Sequence, residues 1–340
     1  MNTLDYFKEH FEEFQSGKGS NGLGQIRQHA FDAFNKLGIP TSRHEEWKYT
    51  RIGNVFNTQY QLSVNANKEP IPLPLIQGVR LPGHEKANEL FFINGIFSSA
   101  HSTVRSGELV VLPLEEAAKN EYGEFVKKYF GCSGQYIKDG INALNTALMN
   151  SAVFIHVKKG RLVRHPIYIY NITDASSTNI LAQPRCLVHV GENSSAQIVE
   201  TYATIGSGEN FTNQVMEIIV EKDAMLEYYK IQNDAAHANQ VSTTHIRQTG
   251  KSYVHTVTIS LNGAIVRNNM NILMESEYSE AHLYGLYFMQ GRSHIDNHTL
   301  VDNIKPNCLS NELYKGIMDD TSTGVFNGKV FVRPLAQKTN

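Results

Sequence analysis

The densest group of side chains able to do chemistry is Arg292-Ser-His294-Ile-Asp296-Asn-His298. In a strand, positions i, i+2 and i+4 point the same way. His294, Asp296 and His298 would then share one face, as the ligands of a transition metal do. A solvated outer face, or a polar ladder stacked on neighbouring strands, uses the same residue types. No fourth ligand stands at a fixed spacing. These three are the candidate metal residues, and no catalytic or cofactor-binding residue is assigned.

Other reactive types are scattered. Cys132, Cys186 and Cys308 are odd in number, far apart and without C-x-x-C, which argues against a disulfide framework or a structural zinc site. Cys308 stands in a turn before a strand, where a free intracellular cysteine is more often a small hydrophobe than a nucleophile. His255 and His282 lie on strands and read as structural. There is no phosphate loop, no Gly-x-Ser-x-Gly elbow and no His-Glu-x-x-His. Gly324-Val-Phe-Asn-Gly328 is expected to be a tight turn between strands. Carboxylates are spread thinly, so the acid pair needed to cleave a carbohydrate polymer is not evident.

These residues sit in a stretch, Leu187 to Val332, that reads as a stack of β units. Five segments begin with a small residue and run on as strands, at Ala196, Ala224, Ser252, Ala281 and Ser310. Their starts differ by 28, 28, 29 and 29 residues. Near-constant spacing marks a repeat in which each unit buries its apolar face on its neighbours. The segments are rich in β-branched and aromatic residues and follow turn formers such as Gly191-Glu-Asn193. We expect a parallel β-helix. An antiparallel sandwich is the rival.

Ahead of the stack, Leu4, Phe7, Phe11 and Phe14 fall at helical spacing, and Gln25 to Leu37 forms a second amphipathic helix stopped by Gly38 and Pro40. A Gly/Ser-rich loop, Ser16 to Gly24, joins them. Ser42 and Glu45 fit a capping box for a short third helix that carries Trp47, the single tryptophan, as a packing anchor. Pro70 to Pro82 reads as a stiff, extended connector. Strands with an Asn94-Gly95 hairpin follow over Glu89–Leu112. Helices over Leu114–Phe130 and Gly140–Asn150 are expected to cap the first coil. The expected domains are 1–70 (helical), 71–88 (connector) and 89–333. The last holds capping helices at about 114–150 and the β-helix from about 152, and 334–340 begins a further segment.

A net charge of −2 gives no electrostatic case for nucleic acid or an anionic membrane. No run of 18 apolar residues exists, and the N-terminus lacks a secretory pattern. With unpaired cysteines, this points to the cytoplasm.

Three stretches carry a resemblance. Pro40-Thr-Ser-Arg-His-Glu-Glu-Trp-Lys-Tyr-Thr50 is similar to the N-terminal signature of the SufD branch of the SufB/SufD family. Asp139-Gly-Ile-Asn-Ala-Leu-Asn-Thr-Ala-Leu148 resembles the family pattern before its solenoid. Ser310–Ile317, Thr323–Val330 and Ala336–Asn340 resemble its shared core. The resemblance implies a right-handed parallel β-helix (mainly β, with an N-terminal α-helical domain). It also implies a non-enzymatic scaffold for iron–sulfur cluster assembly that pairs with a SufB-like paralogue through late strands and works with the ABC-type ATPase SufC. It implies no firmly bound cofactor, with iron or a cluster only in the assembled complex. In the family, Ala336–Asn340 leads into further strands and terminal helices. A chain ending at Asn340 is thus expected to be a fragment that forms a homodimer through its late strands. The alternatives are a β-helix enzyme on a carbohydrate polymer and a metal-binding module.

Overall fold

The computed structural model describes residues 3–17, 23–62 and 71–340. Most of the Gly/Ser-rich loop lies outside the described residues. The protein is mainly β, a solenoid of about six turns with helices gathered near its N-terminus.

Two sheets form the solenoid, and successive strands alternate between them. One sheet contains β4 (Leu109–Pro113), β5 (Val153–Val157), β8 (Arg185–Val190), β10 (Asn210–Val220), β12 (Asn239–Gln248), β14 (Ile265–Met274), β16 (His294–Asn303) and β18 (Thr323–Val332) in spatial order. The short β1 (Gln61–Leu62) and β7 (Ile180–Ala182) join it at its side. The other sheet contains β3 (Ile96–Thr103), β2 (Asn88–Ile93), β6 (Ile167–Asp174), β9 (Ser195–Ile205), β11 (Met225–Asn233), β13 (Tyr253–Asn262), β15 (Glu280–Met289) and β17 (Leu309–Met318). We call these the flank sheet and the open sheet.

From β5 and β6 onward every pairing between successive coils is parallel. This excludes the antiparallel sandwich. The structurally equivalent positions are Ala196, Leu226, Val254, Ala281 and Ser310, spaced by 30, 28, 27 and 29 residues. Two of the small residues that set the sequence reading, Ala224 and Ser252, thus sit two positions before the shared register, at the turn into the strand.

The two sheets bury their residues differently. In β9, β11 and β13 buried residues alternate with half-exposed ones, because the outer face of the open sheet meets solvent. Every residue of β10 is buried. Its outer face lies under helices, so both sides of the strand are in contact with protein.

Those helices are α1 (Thr3–Gly17), α2 (Gly24–Leu37), α4 (Leu114–Ala117), α5 (Gly123–Tyr129) and α6 (Gly140–Leu148). Phe7 and Phe11 of α1 pack on Phe31 and Phe34 of α2, with Phe11 stacked on Phe31 at 4.0 Å between ring centroids. The helices expected to cap the first coil instead lie along the flank. Val126 and Tyr129 cluster with Phe154, Leu187 and Ile219, outward residues on three successive coils. The end of the solenoid is closed by antiparallel β2–β3 and β4–β5 pairs. Asn94 and Gly95 form the expected two-residue hairpin between Ile93 and Ile96, both with positive φ. The Pro-rich stretch is not wholly extended, since Leu73–Gly78 is α3 with Pro72 at its N-cap. Proline at the first turn removes only a donor that would lack a partner anyway.

Inside, the solenoid has two kinds of filling. Val153, Ile155, Val188, Val190, Ile218, Ile246 and Leu283 belong to a long apolar core. Beside it runs a polar row. Lys230 donates to Ser242 (2.8 Å) and Thr244 (3.1 Å), Gln232 to Asn268 (2.9 Å), Ser260 to Gln232 (2.6 Å), and Asn268 to Asn297 (2.9 Å).

Candidate docking site on the flank and the late strands

Alternation does place His294, Asp296 and His298 together on the outer face of β16, but their polar atoms are already engaged. Asp296 accepts from Arg267 of β14 at 2.6 Å and from the Thr50 hydroxyl, and lies 2.9 Å from His298 Nε2. His294 Nε2 lies 2.8 Å from Thr50 Oγ1. Among the described residues, no group of three or more His, Cys, Asp or Glu side chains is arranged to hold a metal ion.

The network continues into the signature stretch. Arg267, buried, donates to the Glu46 carbonyl at 2.7 Å, and its guanidinium lies 3.9 Å from the centroid of the Trp47 ring. Trp47 donates its indole N–H to Asp139 at 3.1 Å. Asp139 in turn caps α6 by accepting from the Asn142 N–H at 2.9 Å. Glu46 pairs with Lys329 of β18 and lies 3.5 Å from His298. Burial opposes ionisation of both Asp296 and Glu46. The surrounding cations outweigh it: His298 and Arg267 for Asp296, and Lys329, His298 and Arg267 for Glu46. Both carboxyls are held below their ordinary pKa. At Asp139 burial wins, and its pKa is raised.

Trp47 is therefore the packing anchor that its singularity suggested. The capping box does not form. Glu45–Trp47 is a single 3₁₀ turn without a side-chain cap, and the His44 ring accepts from the Thr41 N–H instead (3.0 Å). Sequence reading missed Arg267, Thr50 and Lys329. They lie on separate elements, so no spacing rule relates them.

Between this network, the 135–140 loop and β14–β18 lies a groove of about 810 Å³, lined in part by Trp47, Tyr136, Asn271, Leu300 and Phe331.

The remaining sequence candidates are structural. Cys308 is buried and donates to the Ser276 carbonyl (3.3 Å), and burial raises its pKa, as it does for Cys132 and Cys186. His255 and His282 stand in register on the outer face of the open sheet, and His282 bonds Glu280 at 2.6 Å. Gly324 to Gly328 lies inside β18, not in a turn. A Cβ on Gly328 would approach Glu312 and Phe326 at 3.2 Å, a tight fit at that position.

The last coil carries the exposed apolar surface. β17 pairs only with β15, and β18 only with β16, among the described residues. Leu313, Ile317, Val330 and Val332 on these two strands are each more than half exposed. The tail reaches back to the start of β17, where Ser310 N–H donates to the Asn340 carbonyl at 2.7 Å. No described helix is long and apolar enough to cross a membrane.

Comparison with known proteins agrees with this architecture. Residues 171–340 match the family model described as SUF system FeS cluster assembly, SufBD core domain, and residues 2–169 match the SufBD protein N-terminal region. An iron–sulfur cluster assembly SufBD family protein of Synechocystis is 27% identical over 337 residues, which is 96% of this chain and 73% of the relative. The iron–sulfur cluster assembly protein SufD of Escherichia coli is 24% identical over 348 residues, 100% of this chain and 75% of the relative. Protein ABCI7, chloroplastic, of Arabidopsis thaliana is 28% identical over 195 residues, covering 55% of this chain and 41% of the relative. The two models together span almost the whole chain, and on that ground it belongs to the SufBD family of the SUF system for iron–sulfur cluster assembly.

Proposed function

We propose that the protein is a scaffold subunit in iron–sulfur cluster assembly, without catalysis of its own. On this reading it pairs with a SufB-like paralogue through β15–β18 and works in one complex with the ATPase SufC. The observation that carries the reading is the last coil, where two ten-residue strands have no further strand beside them among the described residues and bear exposed apolar side chains. Such an edge is a template for another chain. Iron or a cluster is held by the assembled complex, and the His294–Asp296–His298 row serves packing. On the same reading it works in the cytoplasm.

Co-expression with SufB-like and SufC partners tests this. Affinity capture of the protein should retain the SufB-like chain, and Leu313→Asp with Ile317→Asp should abolish retention while the circular dichroism spectrum is unchanged. Undiminished capture by that variant would remove the late strands as the pairing surface. The same edge should let the isolated chain dimerise. A single monomeric species in sedimentation at high concentration would count against it.

A further inference from the structure

We infer that residues Glu46–Leu62 form an axial brace that couples the last coils of the solenoid to the coils of β7, β10 and β12 and to α6. In a solenoid each coil touches only its neighbours, so the ends are free to fray or twist independently of the middle. This segment runs across the flank sheet and engages each strand from β18 to β10. Glu46 pairs with Lys329 of β18. Thr50 bonds His294 and Asp296 of β16. Trp47 and the Glu46 carbonyl hold Arg267 of β14. Ile52, Val55 and Phe56 share a core cluster with Val241 of β12 and Phe211 of β10, and Phe56 meets Phe211 edge-on at 5.3 Å. Gln61 and Leu62 pair with Ile180 and Leu181 of β7.

At about 4.8 Å per strand, the four steps from β18 to β10 span roughly 19 Å. A rotation of the last coil relative to the coil of β10 would shear these contacts. Trp47 extends the brace sideways, since its bond to Asp139 reaches the N-cap of α6. Thr50, Trp47, Arg267 and Asp296 are buried, so solvent does not readily replace the bonds among them as the coils move, whereas the Glu46–Lys329 pair is exposed. The brace therefore makes the coils behave as one unit, and it gives the Pro40–Thr50 signature a mechanical role.

Hydrogen–deuterium exchange on the 340-residue chain tests this with two conservative variants. Thr50→Val removes the bonds to β16 and keeps the side-chain shape. Trp47→Phe removes the indole N–H and retains a ring over Arg267. Loss of one buried hydrogen bond corresponds to about fivefold faster exchange where opening is limited by that contact. If the segment is a brace, Trp47→Phe should accelerate exchange by about that factor in β16 and β18 as well as in α6, although Trp47 bonds only α6 and β14. Phe125→Leu, on the other part of the flank, should leave β16 and β18 unchanged. In the double variant the effects should be less than additive, because either change alone releases the brace. Acceleration confined to residues 45–57 and the first turn of α6, with β16 and β18 at the parental rate, would overturn the inference. If Trp47→Phe does not fold, Thr50→Val alone decides: acceleration in β16 without any in β14 and β18 would also overturn it.

Discussion

Arg267 shows how much one side chain can hold together. It is buried, bonded to Asp296 at 2.6 Å, to Asn269 at 3.2 Å and to the Glu46 carbonyl, and stacked on Trp47. Removing it would leave the buried Asp296 carboxylate without its guanidinium partner. Arg267→Met should therefore lower the unfolding free energy by about 3–5 kcal/mol in urea titration. A loss below about 1 kcal/mol would mean that the network is slack. His298→Ala distinguishes packing from ligation at the same site. Iron and zinc content of anaerobically purified protein should not change. A second buried residue, His245, has no hydrogen-bond partner for either ring nitrogen and sits under Tyr136, with Glu217, Arg185 and Arg247 near it. Burial pushes its pKa down to about 4 from 6.5. The unfolded chain then binds the proton first as pH falls, so stability is lost between pH 6.5 and 4, by up to about 1.4 kcal/mol per pH unit for one proton. His245→Leu should flatten that slope by one proton's worth in acid-dependent urea unfolding.

Strands and helices show where the sequence pattern carried the fold and where it misled. The alternating burial of β9, β11 and β13 follows directly from an open outer face, and the same alternation put His294, Asp296 and His298 on one side. The buried outer face of β10 and β12 depends on which helices cover them, which is a long-range fact. Gly-rich segments misled for a related reason. Gly285 on β15 faces Tyr314 on β17, and Gly316 on β17 faces Tyr287 on β15. A Cβ on either glycine would stand 2.1 Å from the partner ring. Each glycine thus leaves room for an aromatic ring laid across the neighbouring strand. Gly285→Ala should cost about 1–3 kcal/mol by overpacking. Its effect should appear as faster exchange in β17 rather than in β13. Without the register, Gly324–Gly328 looks like a turn.

For the molecule as a whole, the lumen is the unusual feature. An apolar core and a polar row share one prism, and the row contains a buried lysine. Lys230 has its pKa lowered to about 8 from 10.5, by burial that Glu200 only partly offsets. Its charged form is disfavoured in the folded state, so the unfolded chain holds more protons between pH 8 and 10.5. Stability from this group is therefore gained as pH rises through that window, and the cost is fully present below pH 8. Lys230→Met should be neutral or stabilising at pH 7. The advantage of the variant over the parent should shrink between pH 8 and 10.5. A gap that is constant with pH would mean that Lys230 titrates normally.

The sequence by itself determined the repeat, the parallel coils and the family resemblance. Coil spacing and strand alternation are local properties of the chain, and each coil needs only its neighbours. Tertiary structure alone decided what covers each face: helices on the flank rather than at the end, Arg267 and Thr50 around Asp296, and the 46–62 segment along the stack. The contacts of Thr50 with His294 and Asp296 and of Arg267 with Glu46 join residues more than 200 positions apart, and neither periodicity nor spacing relates such residues before the chain folds.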